Sequence, residues 1–453
     1  MTGHSQALKE LEEAYKKDGS GLVVLYGRDG SQKEAFMKEF LSDKNYFYYG
    51  AVPASAEYQK RMMISLVKSE YGINILKDTY DECFTHLKTK GGAKLVVVID
   101  EFDVMVSKDE EFLNSILKLK AKKLYPGPVL IVLATSSVLF AKTNLEETFG
   151  DNYKKIDQII EMKDLSFLEI VRNFPDFSIR EAVEVYGILG GVPAYLNLWD
   201  KEKDVKQNIV NLVLSPDGAL YNEAQRFISL ELRELSVYNT ILASIAAGNE
   251  KLNDLFADTG FSRAKISVYM KNLAAFDVVE KVVSFETGGW DNAKKGVYAI
   301  SNRFVAFWFK FIYPHISELH TMEPEKFYDR FIADELEGYL HRYFVAVCHE
   351  YMMLLNSVDR LPVKLVKVGT WIGKQESIDI IGQSSSRDSI VGISNWEKEE
   401  TGLDDLARIR HAVKLAKIQA DYIYLFSAKT FADDLVKVAE DDETIFLVDM
   451  KEM

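Results

Sequence analysis

Short apolar runs alternate with helical patterns through the first third of the chain. The apolar runs are residues 21–26, 46–49, 95–99 and 129–135. Residues 95–99 are apolar on both faces, which is typical of a central strand in a parallel sheet. A helical pattern follows the first run, over about residues 34–40. The pattern therefore predicts an α/β domain in which helices cover both faces of a parallel sheet.

The middle of the chain is patterned mainly for helices. A helical segment begins near Ser166 and contains a break at residues 190–193. Three further helices are predicted at residues 238–247, around 252–255 and at 262–275. Ser262 is a residue type that caps helix N termini, and two short strands follow around a polar tip at residues 287–292. Three helices followed by a strand pair predict a winged helix.

An aromatic run at residues 304–314 leads into a final α/β unit. The elements predicted there are a helix at 327–355, strands at 363–368, 376–382 and 388–393, a helix at 403–419 and a strand at 422–426. These patterns divide the chain into four segments, which are residues 1–164, 165–225, 226–315 and 325–453.

The charge of the chain limits its partners. It has 55 basic and 69 acidic side chains, a net charge of −14. A surface built throughout to hold nucleic acid needs a basic excess, so that class is disfavoured, although a local basic patch is compatible with the count. Cys83 and Cys348 are far apart, which supports neither a disulfide framework nor a zinc site. The chain has no signal-peptide pattern and no run of about 18 apolar residues, so we expect a cytoplasmic protein without membrane contact.

The first strand runs into a loop of the phosphate-binding type. Such loops join a strand to a helix whose N-terminal N–H groups point at phosphates, and a lysine and a hydroxyl residue complete the site. The candidate residues are Gly27, Arg28, Gly30, Ser31, Gln32, Lys33 and Glu34. Lys33 has the expected place, but Gln32 replaces a glycine that lets the backbone approach phosphate, and Glu34 replaces the hydroxyl residue. Taken alone, the loop is a weak indication of nucleotide binding.

Two acidic residues follow the central strand. In P-loop ATPases an aspartate at this place holds Mg²⁺ and a glutamate polarises the attacking water, the roles predicted here for Asp100 and Glu101. The alternative is a solvated strand end that caps the next helix. Ser136 ends the following strand, where a polar side chain would lie near the γ-phosphate, although an ordinary serine turn explains it equally. The acidic pair together with the loop favours a site for ATP and Mg²⁺.

Several short motifs follow one another along nearly the whole chain. They are residues 26–28, 33, 97–102, 133–137, 190–195 and 304–311. In order and spacing they resemble the archaeal-type ATPases of the STAND branch of the AAA+ class. The resemblance implies an α/β fold with a P-loop AAA+ parallel sheet and a helical lid, then a winged helix, then a restriction-endonuclease-like α/β domain. It also implies that Pro193 belongs to a lid element that senses the nucleotide, whereas the residue alone reads as a helix-start proline.

The chain departs from that family at several positions of the nucleotide site. The family's loop ends in Gly-Lys-Thr or Gly-Lys-Ser, where this chain has Gln32, Lys33 and Glu34. His4 stands where the family usually has an arginine. A missing hydroxyl and an added negative charge both oppose charge neutralisation in the transition state. We therefore expect a weak ATPase at most, and ATP binding itself stays open.

The third helix of the predicted winged helix carries basic and polar residues. The candidate nucleic-acid-binding residues are Arg263, Lys265, Ser267 and Lys271. No acidic residue lies between Ser262 and Ala275, which fits a helix that enters the major groove of DNA. Residues 231–283 as a whole carry seven acidic and six basic side chains. The partner of this segment is therefore either DNA or a protein, and the sequence leaves both alternatives open.

The last segment resembles the nuclease-like domain of the same family. Metal-dependent cleavage there needs a carboxylate on one strand and a Glu-x-Lys motif on the next. Asp379 provides the first carboxylate, but Ile393 and Asn395 replace the glutamate and the lysine. We expect Asp379 to be a vestige of a nuclease site and the domain to be inactive as a nuclease.

Three functions are compatible with these observations. The first is an ATP-binding switch protein with slow or no hydrolysis, in which the nucleotide state is coupled to the winged helix and the inactive nuclease-like module. The second is a pseudo-ATPase scaffold that binds protein or DNA. The third, an ATP-powered nuclease, is implied by the family but is disfavoured by the substitutions at both sites.

Overall fold

The computed structural model describes residues 4–88, 93–106, 109–285 and 296–453. These residues form two compact units. The first contains residues up to 164 together with Val192–Ala194, and the second contains Leu165–Gly191 and Tyr195–Met453. No helix within the described residues is both long enough and apolar enough to span a lipid bilayer.

The first unit is built on a parallel sheet. Within the described residues it has five strands in the order β2-β3-β4-β1-β5. The strands are β1 Gly21–Tyr26, β2 Asn45–Gly50, β3 Leu95–Asp100, β4 Val129–Thr135 and β5 Gln158–Glu161. Every residue of β3 and β4 is buried, as a central position between helical layers requires. The predicted α/β class and parallel sheet are confirmed.

Helices cover both faces of this sheet. They are α1 Ser5–Lys16, α2 Lys33–Leu41, α3 Ala56–Tyr71, α4 Tyr80–Thr85, α5 Asp103–Val106, α6 Glu110–Lys120 and α7 Leu145–Phe149. Alternate residues of β3 enter two separate apolar clusters: Val97 packs in the cluster with α3, α4 and α6, and Val96 packs in the cluster with α1 and α2. This two-sided burial explains why residues 95–99 are uniformly apolar.

The second unit begins with a group of helices. They are α8 Phe167–Asn173, α9 Ile179–Leu189, α10 Pro193–Leu196 (whose first two residues belong to the first unit), α11 Val205–Ile209 and α12 Glu223–Glu231. Ser166 and Ser178 begin α8 and α9 with reciprocal capping boxes, which satisfy N–H groups that would otherwise lack partners. The break predicted at residues 190–193 lies between α9 and α10.

Three helices and a strand pair follow in the predicted order. They are α13 Leu235–Ala246, α14 Leu252–Thr259, α15 Arg263–Ala275, β6 Val279–Val282 and β7 Val297–Ile300. The two strands are antiparallel, and the side chain of Ser262 accepts a hydrogen bond from the Lys265 N–H, as an N-cap residue does. The predicted polar tip at residues 287–292 lies outside the described residues. Winged helix therefore stays a prediction for this segment.

The rest of the second unit contains a mixed sheet. The helices are α16 Arg303–Phe311, α17 Ile316–Leu319, α18 Pro324–Phe331, α19 Ala333–Ser357, α20 Leu403–Ala416 and α21 Asp433–Asp441. The strands are β8 Leu365–Ile372, β9 Ser377–Ser384, β10 Ser389–Asn395, β11 Glu400–Thr401, β12 Tyr422–Ser427, β13 Thr430–Phe431 and β14 Ile445–Asp449. The order β14-β12-β10-β9-β8 has β8, β9 and β10 antiparallel and the others parallel. The helix predicted over 327–355 is wrong in one respect, since α18 and α19 are separate helices with a break at Ile332.

A buried carboxyl group in α9 makes the second unit sensitive to pH. Glu184 lies next to Arg180, whose guanidinium also pairs with Glu337. Burial raises the pKa of Glu184 to about 7, from an ordinary value of 4.5. Because the folded state holds this proton more tightly than the unfolded state, stability falls as pH rises from about 4.5 to about 7.

Glu184→Gln is expected to remove this loss of stability. The free energy of unfolding of the variant minus that of the wild type is expected to be about 2 kcal/mol larger at pH 8 than at pH 5. Urea denaturation at both pH values measures the difference. Glu202→Gln is the matched control, because Glu202 is exposed. Identical pH dependence in wild type and Glu184→Gln would show that Glu184 does not titrate in this range.

Candidate functional site

The loop after β1 and the ends of β3 and β4 form a cavity in the first unit. Because β1, β3 and β4 are parallel, their carboxyl ends lie at one edge of the sheet. The cavity has a volume of 510 Å³, and its described lining residues are Arg28, Asp29, Gly30, Ser31, Gln32, Lys33, Glu34, Ala35, Lys38, Asp100, Glu101 and Ser136. Most of the predicted site residues are therefore brought together, while Gly27 and Pro193 are not among its described lining residues.

The backbone of the loop turns tightly into α2. Gly30 has φ +86° and Gln32 has φ +59°, both in the left-handed region. A side chain at that φ costs roughly 1–2 kcal/mol, so Gln32 keeps a glycine-like conformation against its own preference. Gly27 is needed for another reason, since a Cβ there would lie 2.7 Å from the Cβ of Met162. His4 supports the loop from the N terminus, with its Nε2 2.8 Å from the Ser31 carbonyl oxygen.

The loop lysine is held by the acidic residues across the cavity. The Nζ of Lys33 lies 2.8 Å from Asp100 Oδ1 and 2.5 Å from Glu101 Oε1. It also donates a hydrogen bond of 2.9 Å to Ser136 Oγ. The Lys33 and Asp100 side chains are 7% and 11% exposed, so their ion pair is largely shielded from water, whereas the Glu101 side chain is 34% exposed. In this structure the positive charge of Lys33 is therefore already neutralised by protein groups.

Neighbouring groups fix the two carboxylates. Ser136 donates to Glu101 from its backbone N–H (2.9 Å) and from its hydroxyl (2.5 Å). Glu101 itself has φ +53° and donates its N–H to Asp100 Oδ1 at 3.0 Å. The hydroxyl of Tyr48 donates to Asp100 Oδ2 at 2.6 Å. These bonds hold the carboxylates in place for either a cation or the loop lysine.

Two residues near the site were missed by the sequence analysis. Tyr48 lies in the apolar run at residues 46–49, but its hydroxyl bonds Asp100, and burial together with that bond raises its pKa. Asp103 accepts a hydrogen bond of 2.7 Å from the Thr135 hydroxyl, and burial raises its pKa. The available indication was position: Tyr48 lies near the carboxyl end of β2, the strand that pairs with β3.

Two further contacts, one at Arg28 and one beside Pro193, connect the loop to other segments of the first unit. The Nη1 of Arg28 lies 3.0 Å from Asp164 Oδ2. Ala194, the residue after Pro193, donates its N–H to the Gly30 carbonyl oxygen at 3.1 Å. The chain thus returns from the second unit to the first at Val192–Ala194 and bonds the candidate phosphate loop there.

The charges of the cavity fit a nucleotide only in part. The left-handed turn, the lysine at the start of α2 and Asp100 suit a phosphate group and Mg²⁺. Glu34 lies exposed at the start of α2 in place of a hydroxyl ligand, and the described lining residues of the cavity include three basic and four acidic side chains. Within the described residues, no three His, Cys, Asp or Glu side chains come together as a preformed metal site.

The candidate nucleic-acid-binding residues lie on the exposed side of α15. Arg263, Lys265, Ser267 and Lys271 are all exposed, whereas Ile266, Met270 and Leu273 bury the opposite side. Aromatic rings position two of the cations: the Arg263 guanidinium lies 4.1 Å from the Phe256 ring centroid, and Lys265 Nζ lies 4.4 Å from that of Phe261.

Asp379 lies buried on β9 of the mixed sheet. Its Oδ2 accepts hydrogen bonds from the Ser394 N–H (2.9 Å) and hydroxyl (3.1 Å). Ile380 pairs with Gly392, so the register places Ile393 opposite Asp379, where a second carboxylate would be needed. Asn395, at the lysine position of the motif, donates to Thr401 Oγ1 at 3.2 Å. The local contacts of Asp379 are therefore those of a structural carboxylate.

Comparisons with known proteins agree with this architecture. Residues 4–199 match the family model of an ATPase domain predominantly from Archaea, and residues 308–403 match a model described as archaeal and bacterial proteins of unknown function. An uncharacterized protein of Methanocaldococcus jannaschii is 26% identical over 382 residues, covering 83% of this chain and 82% of that protein.

Two solved structures resemble parts of the chain in fold. The Walker-type ATPase of Pyrococcus abyssi has a TM-score of 0.49 at 17% identity, covering 68% of this chain and 96% of that one. The ORC2 protein of Aeropyrum pernix has a TM-score of 0.44 at 11% identity, covering 70% of this chain and 92% of that one. The similarity to an ATPase domain found predominantly in Archaea rests on the family-model match over residues 4–199.

Proposed function

We propose, from the ATPase-domain match over residues 4–199, that this chain is an ATP-binding switch protein with slow or no hydrolysis. The observation that carries the proposal is the contact of Lys33 with Asp100, Glu101 and Ser136 in the cavity at the sheet edge. These are the types of side chain that hold phosphate and Mg²⁺ in P-loop proteins. When bound, ATP and Mg²⁺ would supply the negative phosphates for Lys33 and the cation for Asp100.

The ion pairs of Lys33 support a switch between two states. Lys33 serves either the carboxylates or a phosphate, and the two arrangements compete for one ammonium group. A ligand shifts such an equilibrium by the difference between its affinities for the two states. The bond from Ala194 to Gly30 places a chain segment that leads into the second unit against the same loop. We propose that this segment, which includes Pro193, transmits the nucleotide state.

The bonds of Glu101 support slow hydrolysis. A residue that polarises the attacking water needs a carboxylate oxygen directed at that water. One oxygen of Glu101 is bonded to Lys33 and the Ser136 hydroxyl, and the other accepts from the Ser136 N–H. The negative charge of Glu34 adds to the barrier, since it opposes charge neutralisation at the phosphates.

The second candidate is a scaffold without enzymatic activity, which binds protein or DNA. Two observations favour it: the excess of acidic groups in the cavity, and the exposed basic side of α15. In both proposals the C-terminal segment is inactive as a nuclease, because the position opposite Asp379 is Ile393.

Calorimetry with purified protein, ATP and Mg²⁺ distinguishes the two proposals. Micromolar binding that is lost in Lys33→Ala/Asp100→Ala supports the switch, and a turnover assay then measures hydrolysis. Absence of both binding heat and a thermal shift at millimolar ATP would leave only the scaffold.

Glu34→Thr is expected to strengthen binding of ATP with Mg²⁺ about tenfold. The substitution removes one negative charge from the cavity lining and restores the hydroxyl ligand, and a tenfold change in affinity corresponds to about 1.4 kcal/mol. Glu39→Thr is the matched control, because it changes the same residue type on α2 at an exposed position outside the cavity lining. Unchanged affinity in Glu34→Thr would indicate that residue 34 does not face the bound phosphates.

A further inference from the structure

A second, larger cleft lies within the second unit. It is formed by the start of α14, the strand pair β6–β7, the turn between β8 and β9, and Leu415 of α20. Its volume is 1040 Å³, and its described lining residues are Lys251, Leu252, Asn253, Lys281, Gly296, Val297, Tyr298, Trp371, Ile372, Gly373, Lys374, Gln375 and Leu415. We call it the basic cleft.

The charge of the basic cleft is opposite to that of the chain. Lys251, Lys281 and Lys374 line it, and no described lining residue is acidic, although the whole chain has a net charge of −14. Three lysines from separate elements at one concave surface attract a polyanion. The acidic residues nearest in sequence, Glu250, Asp254, Glu280 and Glu376, are not among the described lining residues.

Aromatic and amide side chains accompany the lysines. Trp371 and Tyr298 are both partly exposed in the cleft. The Trp371 ring lies close to Gly373, where a Cβ would approach its Cη2 to 2.4 Å, so the glycine leaves room for the ring. A positive groove that also presents aromatic rings suits single-stranded nucleic acid, whose bases stack while the phosphates meet lysines.

The basic cleft continues into the exposed side of α15. Asn253, which lines the cleft, accepts a hydrogen bond of 3.0 Å from the Nε of Arg263. Lys265, two residues after Arg263 on α15, is also exposed. A strand bound in the cleft would therefore reach further cations on α15.

We infer that the basic cleft binds single-stranded nucleic acid. The lysines neutralise phosphates, Trp371 and Tyr298 stack on bases, and Arg263 and Lys265 extend the path along the strand. This site is separate from the nucleotide cavity, and it does not require that the first unit binds ATP.

Fluorescence anisotropy of the full chain with a labelled single-stranded DNA of about 20 nucleotides tests the inference. Lys251→Glu/Lys374→Glu is expected to weaken binding at least about tenfold and to reduce the slope of log K against log salt by about 1.4, for two lost phosphate contacts. Lys326→Glu/Lys437→Glu is the matched control, since it changes the net charge equally at exposed positions outside the cleft. Thermal melting confirms that both variants are folded.

Four outcomes would overturn the inference. They are no binding by the wild type at low salt, equal losses in the two double variants, binding of a duplex of the same sequence as tight as that of the single strand, and loss only on Arg263→Ala/Lys265→Ala. The last result would place the site on α15 alone.

Discussion

Lys33→Ala is expected to destabilise the first unit by about 3 kcal/mol. The substitution leaves Asp100 and Glu101 without their cation, and removing one member of a buried ion pair costs about 3–5 kcal/mol. The lower figure applies because the Glu101 side chain is 34% exposed and water partly replaces the lysine there. Urea denaturation followed by circular dichroism measures the change. The same variant is expected to bind ATP at least about 100-fold more weakly, because a charge-assisted bond to phosphate is lost.

Two control variants separate the ion pairs from other effects of the substitution. Lys38→Ala lies on the same helix and lines the same cavity from an exposed position, so we expect a change within about 0.5 kcal/mol. Lys33→Met/Asp100→Asn/Glu101→Gln removes the charges together and is expected to recover most of the lost stability. Wild-type stability in Lys33→Ala would show that the carboxylates do not depend on the lysine.

Gly191→Ala is expected to cost at least about 4 kcal/mol or to prevent folding of the second unit. A Cβ at residue 191 would lie 1.9 Å from the Leu165 carbonyl oxygen and 2.6 Å from the Leu165 nitrogen. Both are backbone atoms, and the Gly191 carbonyl oxygen accepts a bond of 2.8 Å from the same Leu165 N–H. Neither segment can move without breaking that bond, so relief of the clash has a large energetic cost. Soluble yield and thermal melting measure the effect.

Gly338→Ala is the matched control for that substitution. Gly338 is an interior residue of α19, five positions after Ala333, and a Cβ there would meet only the Glu397 carboxylate, at 3.8 Å. Because alanine is the better helix former, we expect Gly338→Ala to be stabilising by about 0.5–1 kcal/mol. A melting temperature of Gly191→Ala within about two degrees of the wild-type value would show that Leu165 does not lie this close to residue 191.

Much of the fold was predictable because local pattern and tertiary burial agree. The run at residues 95–99 is apolar on both faces, and β3 is buried by two separate clusters. Ser262 was predicted to cap the third helix of the middle segment, and its side chain makes that bond. The gathering of Lys33, Asp100 and Ser136 at one sheet edge follows from parallel strands with known carboxyl ends.

The rest of the site depends on contacts that sequence spacing does not specify. Tyr48 contacts Asp100, 52 positions further along the chain, because β2 pairs with β3, whereas an aromatic residue in a strand more often belongs to the core. The pairing of Lys33 with both carboxylates depends on side-chain positions across the cavity, so the motif alone predicted only the lysine of a phosphate-binding loop. The break at Ile332 is likewise invisible in a continuous helical pattern.

The ion pairs of Lys33 have a consequence for how the nucleotide cavity would respond to ligand supply. A ligand that recruits Lys33 must first displace Asp100 and Glu101, and each 1.4 kcal/mol of that displacement raises the half-saturating concentration about tenfold. The strength of the lysine–carboxylate contacts therefore sets a concentration threshold. Substitutions that tune those contacts, without touching the ligand, would move the threshold up or down and turn the same fold into a sensor of abundant or of scarce nucleotide.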